Sequence, residues 1–73
     1  MKVDPIEKYK TWREGEPGAP PRSVMLKRVH SAAWSLERRY QLKEMHSSDE
    51  DAKRLAADYA HKHVQRWKKV VGI

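Results

Sequence analysis

The chain predicts an all-α fold: an antiparallel helical hairpin of two long helices, preceded by a short, mobile N-terminal arm. Three observations predict it. Apolar residues recur at helical spacing from Met25 to Tyr40, and again from Ala52 to Val71. The polar run HSSDED between them carries Ser47 with Glu50 and Ser48 with Asp51, alternative capping boxes for a second helix. Ahead of both helices, three prolines and two glycines fall within nine residues, Glu14 to Arg22, which sustains neither helix nor strand.

The elements follow in order. DPIE opens the arm, with Asp4 as N-cap, Pro5 at the first helical position and Glu7 completing a capping box. A helix of two or three turns over PIEKYKTWR is marginal alone and needs a surface to dock on. Residues 1–22 thus form an arm and Pro/Gly-rich linker, and 23–73 form the hairpin domain. The first long helix is expected from Ser23 to about Met45. At about 100° per residue, Met25, Leu26, Val29, Ala32, Ala33, Leu36 and Tyr40 share an arc of roughly 120°, which is its core face. Lys27, Ser31, Trp34, Arg38, Gln41 and Met45 lie opposite, with Val24 and Leu42 on one flank. The second helix is expected from about Asp49 to Val70. Its acids sit at the positive end, Lys68 and Lys69 at the negative end, and Gly72 near the stop. Ala52, Leu55, Ala56, Tyr59, Ala60, Val64, Trp67, Val70 and Val71 make its apolar face.

Composition narrows the function. A chain of 73 residues without cysteine has one small core, worth roughly 3–5 kcal/mol, and no disulfide or thiolate zinc site to brace it. No apolar run reaches membrane-spanning length, and MKVDPIEKYK lacks the apolar stretch of a secretory leader. The net charge of +6 draws the chain towards an anionic partner. Catalysis is not expected: there is no phosphate loop, no nucleophile elbow and no paired histidine on one helix turn. No cofactor or metal is expected either. His61 and His63 are two apart and face nearly opposite sides, and His30 and His46 have no His or carboxylate at a matching offset that forms a recognised motif. His63, between Tyr59 and Trp67 on the apolar face, reads as a half-buried histidine with a hydrogen-bond partner, a group able to make stability pH-sensitive.

A helix-turn-helix DNA reader is disfavoured. Its recognition helix would begin SSDED and present three acids to a polyanion. Weak non-specific nucleic-acid binding through another face stays open. Trp34 poses the sharper question. Either it is an interface anchor, ringed by Val24, Leu42 and Met45 with Lys27 and Arg38 beside it, or it packs beneath the arm against Tyr9 or Trp12. The candidate partner-binding residues are therefore Val24, Lys27, Arg28, Trp34, Arg38, Leu42, Tyr9 and Trp12.

From MKVDPIEKYKTWREGEPGAPPRSVMLKRVH through the hairpin, the chain resembles the small transcription regulators with which Xanthomonas phages act on the RNA polymerase of their host. That resemblance implies a non-enzymatic inhibitor in the host cytoplasm, a monomer that engages the β and β′ subunits. It implies that the σ factor is displaced, initiation stops and termination is altered. It assigns no individual residues. A small basic DNA-binding regulator of the repressor or excisionase kind is the alternative, and a homo-oligomeric module joined through the Trp34 face is another.

Overall fold

The computed structural model describes residues 3–73, and its order is a 3-10 turn at Glu7–Tyr9, helix α1 at Arg22–Lys43 and helix α2 at Asp49–Val71. The two helices pack side by side as a hairpin, and the described residues together extend 43 Å along their longest axis. No strand occurs among the described residues.

Helix α1 starts one residue before the expected Ser23, behind Pro21 in extended geometry and without a side-chain cap. It ends at Lys43, short of Met45. The Glu44 and Met45 amides both donate to the Tyr40 carbonyl, and His46 follows with φ 54°, in the left-handed region. Helix α2 opens with the N-cap half of one of the two expected boxes: Ser48 Oγ accepts from the Asp51 amide at 3.2 Å, while Asp51 Oδ1 accepts from Arg54. It closes through Gly72 at φ 82°, where the amides of Gly72 and Ile73 donate to the Lys68 carbonyl. Only glycine takes that conformation without cost.

The core face of α1 departs from the expectation. Its buried residues are Met25, Val29, Ala33, Glu37 and Gln41, four apart throughout. Such a row is inclined to the helix axis, and a neighbour packed along it follows the row rather than a fixed azimuth. The contact line therefore swings away from Leu36 and Tyr40, which are half-buried, onto Glu37 (5% exposed) and Gln41 (9%). Gln41, expected on the wet face, is inside. Gln41 Nε2 donates to Glu37 Oε2 at 2.7 Å, and Ser47 Oγ donates to Gln41 Oε1 at 2.8 Å, so the turn is tied to the seam. On α2 the matching row is Ala52, Ala56 and Ala60, all fully buried, while Leu55 and Val70 stay exposed.

The larger side chains gather at the other end. Ile6, Trp12, Met25, Val29 and Trp67 form the hydrophobic cluster, with Tyr9, Ala19, Leu26, Val64 and Val71 packed against it. The arm thus supplies Ile6 and Trp12 to the core. Its ordered helix is a single short turn, not the two or three turns expected. Asp4 acts on that turn, accepting from the Ile6 amide at 3.1 Å, but Glu7 pairs with Lys10 at 2.9 Å instead of closing a capping box. Docking explains the difference. Trp67 Nε1 donates to the Tyr9 carbonyl and Trp12 Nε1 to the Pro20 carbonyl, both at 2.9 Å. The two indoles lie with centroids 5.3 Å apart. The Tyr9 carbonyl thus accepts twice, from the Trp12 amide at 3.4 Å within the arm and from the Trp67 indole. Arg66 closes the arm from the far helix by donating to Asp4 Oδ1 and to His63 Nδ1, which gives His63 the expected hydrogen-bond partner.

A cationic face on α1

Helix α1 concentrates the charge. It carries six Lys and Arg against one carboxylate, an excess of five in a chain whose total is +6. The one carboxylate, Glu37, is in the seam. What α1 turns outward is therefore cationic at both ends, with Lys27 and Arg28 near the arm and Arg38, Arg39 and Lys43 near the turn. The physical cause is the inclined row: the same swing that buries Glu37 and Gln41 leaves Lys27, Arg28, Arg39 and Lys43 exposed.

Three shallow grooves run along this face and meet at Ser35. The first lies between arm and helix, lined by Lys8, Tyr9, Lys27, Arg28, Ser31, Ala32 and Ser35. The second is bordered by His30, Ser31, Trp34 and Ser35. The third runs towards the turn past Trp34, Ser35, Arg38, Arg39, Leu42 and Lys43. No carboxylate lines any of them. Each end holds an aromatic ring beside a cation: Lys8 Nζ lies 5.3 Å from the Tyr9 centroid, and the Arg38 guanidinium 5.8 Å from that of Trp34.

Arg38 is fixed as well as charged. It donates to Asp49 Oδ1 at 3.0 Å, across the turn, while its Nε is shut off from solvent without a hydrogen-bond partner among the described residues. Asp49 also meets Lys53 Nζ at 3.2 Å. The Lys53 ammonium and then the Arg38 guanidinium hold the Asp49 carboxyl below its usual range. At the arm, partial burial pushes the Asp4 carboxyl up. The Ile6 amide and Arg66 outweigh that, and the net shift is downward.

The candidate residues separate into groups. Lys27, Arg28 and Tyr9 share one groove, and Trp34, Arg38 and Leu42 another. Val24 is half-buried and lines none of the three. Trp12, at 7% exposure and stacked on Trp67, belongs to the core cluster. For Trp34, half-buried, the grooves it borders are lined by α1 residues alone, and the arm covers Trp67 instead. Lys8, His30, Ser35, Arg39 and Lys43 join the face unanticipated. Extending the spacing of three and four residues from Arg28 through Ser31 would have found Ser35, Arg39 and Lys43.

Among the described residues no group of three or more His, Asp or Glu is placed to hold a metal ion, and no helix is long and apolar enough to cross a membrane. No family model matches the chain, and no curated protein or solved structure matches it significantly.

Proposed function

We propose that this chain is a non-enzymatic transcription regulator that docks the outer face of α1, centred on Trp34, against an acidic protein surface. Burial of Glu37, the only carboxylate on α1, carries the reading, because it leaves Trp34 and Leu42 framed by Arg38, Arg39 and Lys43 with no opposing charge in the groove. A half-buried tryptophan beside an aliphatic residue, ringed by cations, is the composition of an interface anchor. Complementary charge would steer the encounter, and the fixed Arg38 would limit the ordering cost.

The partner in this reading is host RNA polymerase, at its β and β′ subunits in the host cytoplasm. The σ factor is displaced and initiation is inhibited, with an effect on termination as a further consequence. That identity rests on the resemblance to phage polymerase regulators. The docked arm also reshapes the picture of a two-point grip. Tyr9 and Lys8 are held on the same face as Trp34, so the chain would present one continuous surface rather than a hairpin and a loose tether.

Duplex readout through α2 is not favoured by the geometry. Asp49, Glu50 and Asp51 crowd its first turn, and all are exposed. The test of the proposal is promoter-dependent transcription by the σ-containing polymerase with and without the protein. Wild type should abolish initiation, and Trp34→Ala should restore it while keeping the helical circular dichroism of wild type. Inhibition by Trp34→Ala at the wild-type concentration would overturn the proposed site.

A further inference from the structure

The two ends of the α1 face differ in chemistry. The turn end offers Trp34 and Leu42, apolar groups suited to a protein surface. The arm end offers Lys8, Lys27, Arg28, the Ser31 hydroxyl and the Tyr9 ring, and its only aliphatic side chain is Ala32. Cations around an aromatic ring, with no carboxylate in the groove lining, make a site suited to a nucleic-acid strand.

We infer that the groove between the arm and α1 binds single-stranded nucleic acid, with Lys8, Lys27 and Arg28 on the phosphodiester backbone and a base stacked on Tyr9. The inference goes beyond the proposed protein contact and does not depend on it.

The fold prepares this groove. Tyr9 is not on a loose tail: its carbonyl accepts from Trp67 Nε1 at 2.9 Å, and its side chain packs against the core cluster. The ring is thus held beside α1, half-buried, with Lys8 at 5.3 Å from its centroid. Lys27 and Arg28 are both exposed on the helix wall facing it. Arg28 to Ser35 covers about 10 Å of helix, enough for about two nucleotides of an extended strand. A single strand fits better than a duplex because only an unstacked base offers its face to a ring. No acid of the arm lines this groove: Glu7 pairs with Lys10, Asp4 with Arg66 and Lys10, and Glu14 with Arg22, while Glu16 borders the adjoining groove that shares Lys8, Tyr9 and Arg28.

The experiment is fluorescence anisotropy of a labelled oligothymidylate of about a dozen nucleotides, a length that spans one such site. It is titrated with the full chain across a salt series, beside the same sequence as a duplex and beside poly-glutamate as competitor. The single strand should bind at least tenfold tighter than the duplex, and poly-glutamate of equal charge should compete poorly. Lys27→Ser with Arg28→Ser should weaken binding at least tenfold and flatten the log–log salt slope by about 1.4, or about 0.7 for each lost phosphate contact. Tyr9→Leu should weaken it about tenfold with the slope unchanged, whereas Tyr9→Phe, which keeps the ring, should bind like wild type. Circular dichroism confirms that each variant is folded. Equal affinity for duplex, full competition by poly-glutamate, or a double serine variant that binds like wild type would each overturn the inference.

Discussion

Replacing each of two tryptophans by alanine should separate core from surface. Trp12 is 7% exposed, stacked on Trp67 at 5.3 Å and bonded through Nε1 to the Pro20 carbonyl. Truncating a buried aromatic of this kind costs about 3–5 kcal/mol. A core of this size supplies roughly 3–5 kcal/mol in total, so Trp12→Ala should leave much of the population unfolded at room temperature. Trp12→Phe keeps an aromatic ring and loses the Pro20 bond, which places it between, at about 1–2 kcal/mol. Trp34 is only half-buried, and its specific contact is a cation–π pairing with Arg38, worth about 0.5–1 kcal/mol. Trp34→Ala should therefore cost no more than about 1.5 kcal/mol. Urea unfolding followed by far-ultraviolet circular dichroism measures all three. If Trp34→Ala is as damaging as Trp12→Ala, or if Trp12→Ala costs under about 1 kcal/mol, the assignment of core and face is wrong.

Three further outcomes are expected. His46 sits at φ 54°, so His46→Gly should stabilise by about 0.5–1 kcal/mol and raise Tm by about 2–8 °C in a scanning experiment. Asp4, Glu14 and Asp49 all have carboxyls depressed in the folded state, so their contribution is present above the ordinary carboxylate range and lost as pH falls through the lower folded values. Stability should decline below about pH 4, and Asp4→Asn should shrink that decline in an acid titration of the urea midpoint. Ala56 is fully buried against α1 whereas Ala57 is exposed; Ala56→Leu should cost about 1–3 kcal/mol by overpacking, and Ala57→Leu should stay within about 0.5 kcal/mol, in the same unfolding assay.

The sequence made some of this readable and hid the rest for identifiable reasons. Capping is local chemistry, so Ser48 with Asp51, the acidic first turn and Gly72 mark the ends of α2 within a residue or so. The hairpin follows from periodicity. The identity of the buried row on α1 does not, because it depends on how the helices incline to each other. Glu37 and Gln41 look like surface residues until α2 follows the row of fours across them. That omission also hid the concentration of positive charge, since Glu37 counts as a neutralising neighbour until it is known to be inside. The arm is a tertiary matter. Nothing local distinguishes Trp12, which finds Trp67 at the far end of the chain, from Trp34, which stays on the cationic face.

If the proposed binding belongs to one face and not to net charge, charge reversals on α1 and on α2 must differ in effect. Arg39→Glu with Lys43→Glu reverses two exposed charges on α1, and Lys62→Glu with Lys69→Glu reverses two exposed charges on α2, so both double variants carry the same net charge. Each is titrated, at physiological salt, onto immobilised host RNA polymerase beside wild type. The wild-type chain should be retained, the α1 variant should lose at least tenfold, and the α2 variant should stay within about threefold of wild type, as for charges outside the interface. Equal losses for both variants, or no retention of the wild-type chain, would contradict the proposed binding.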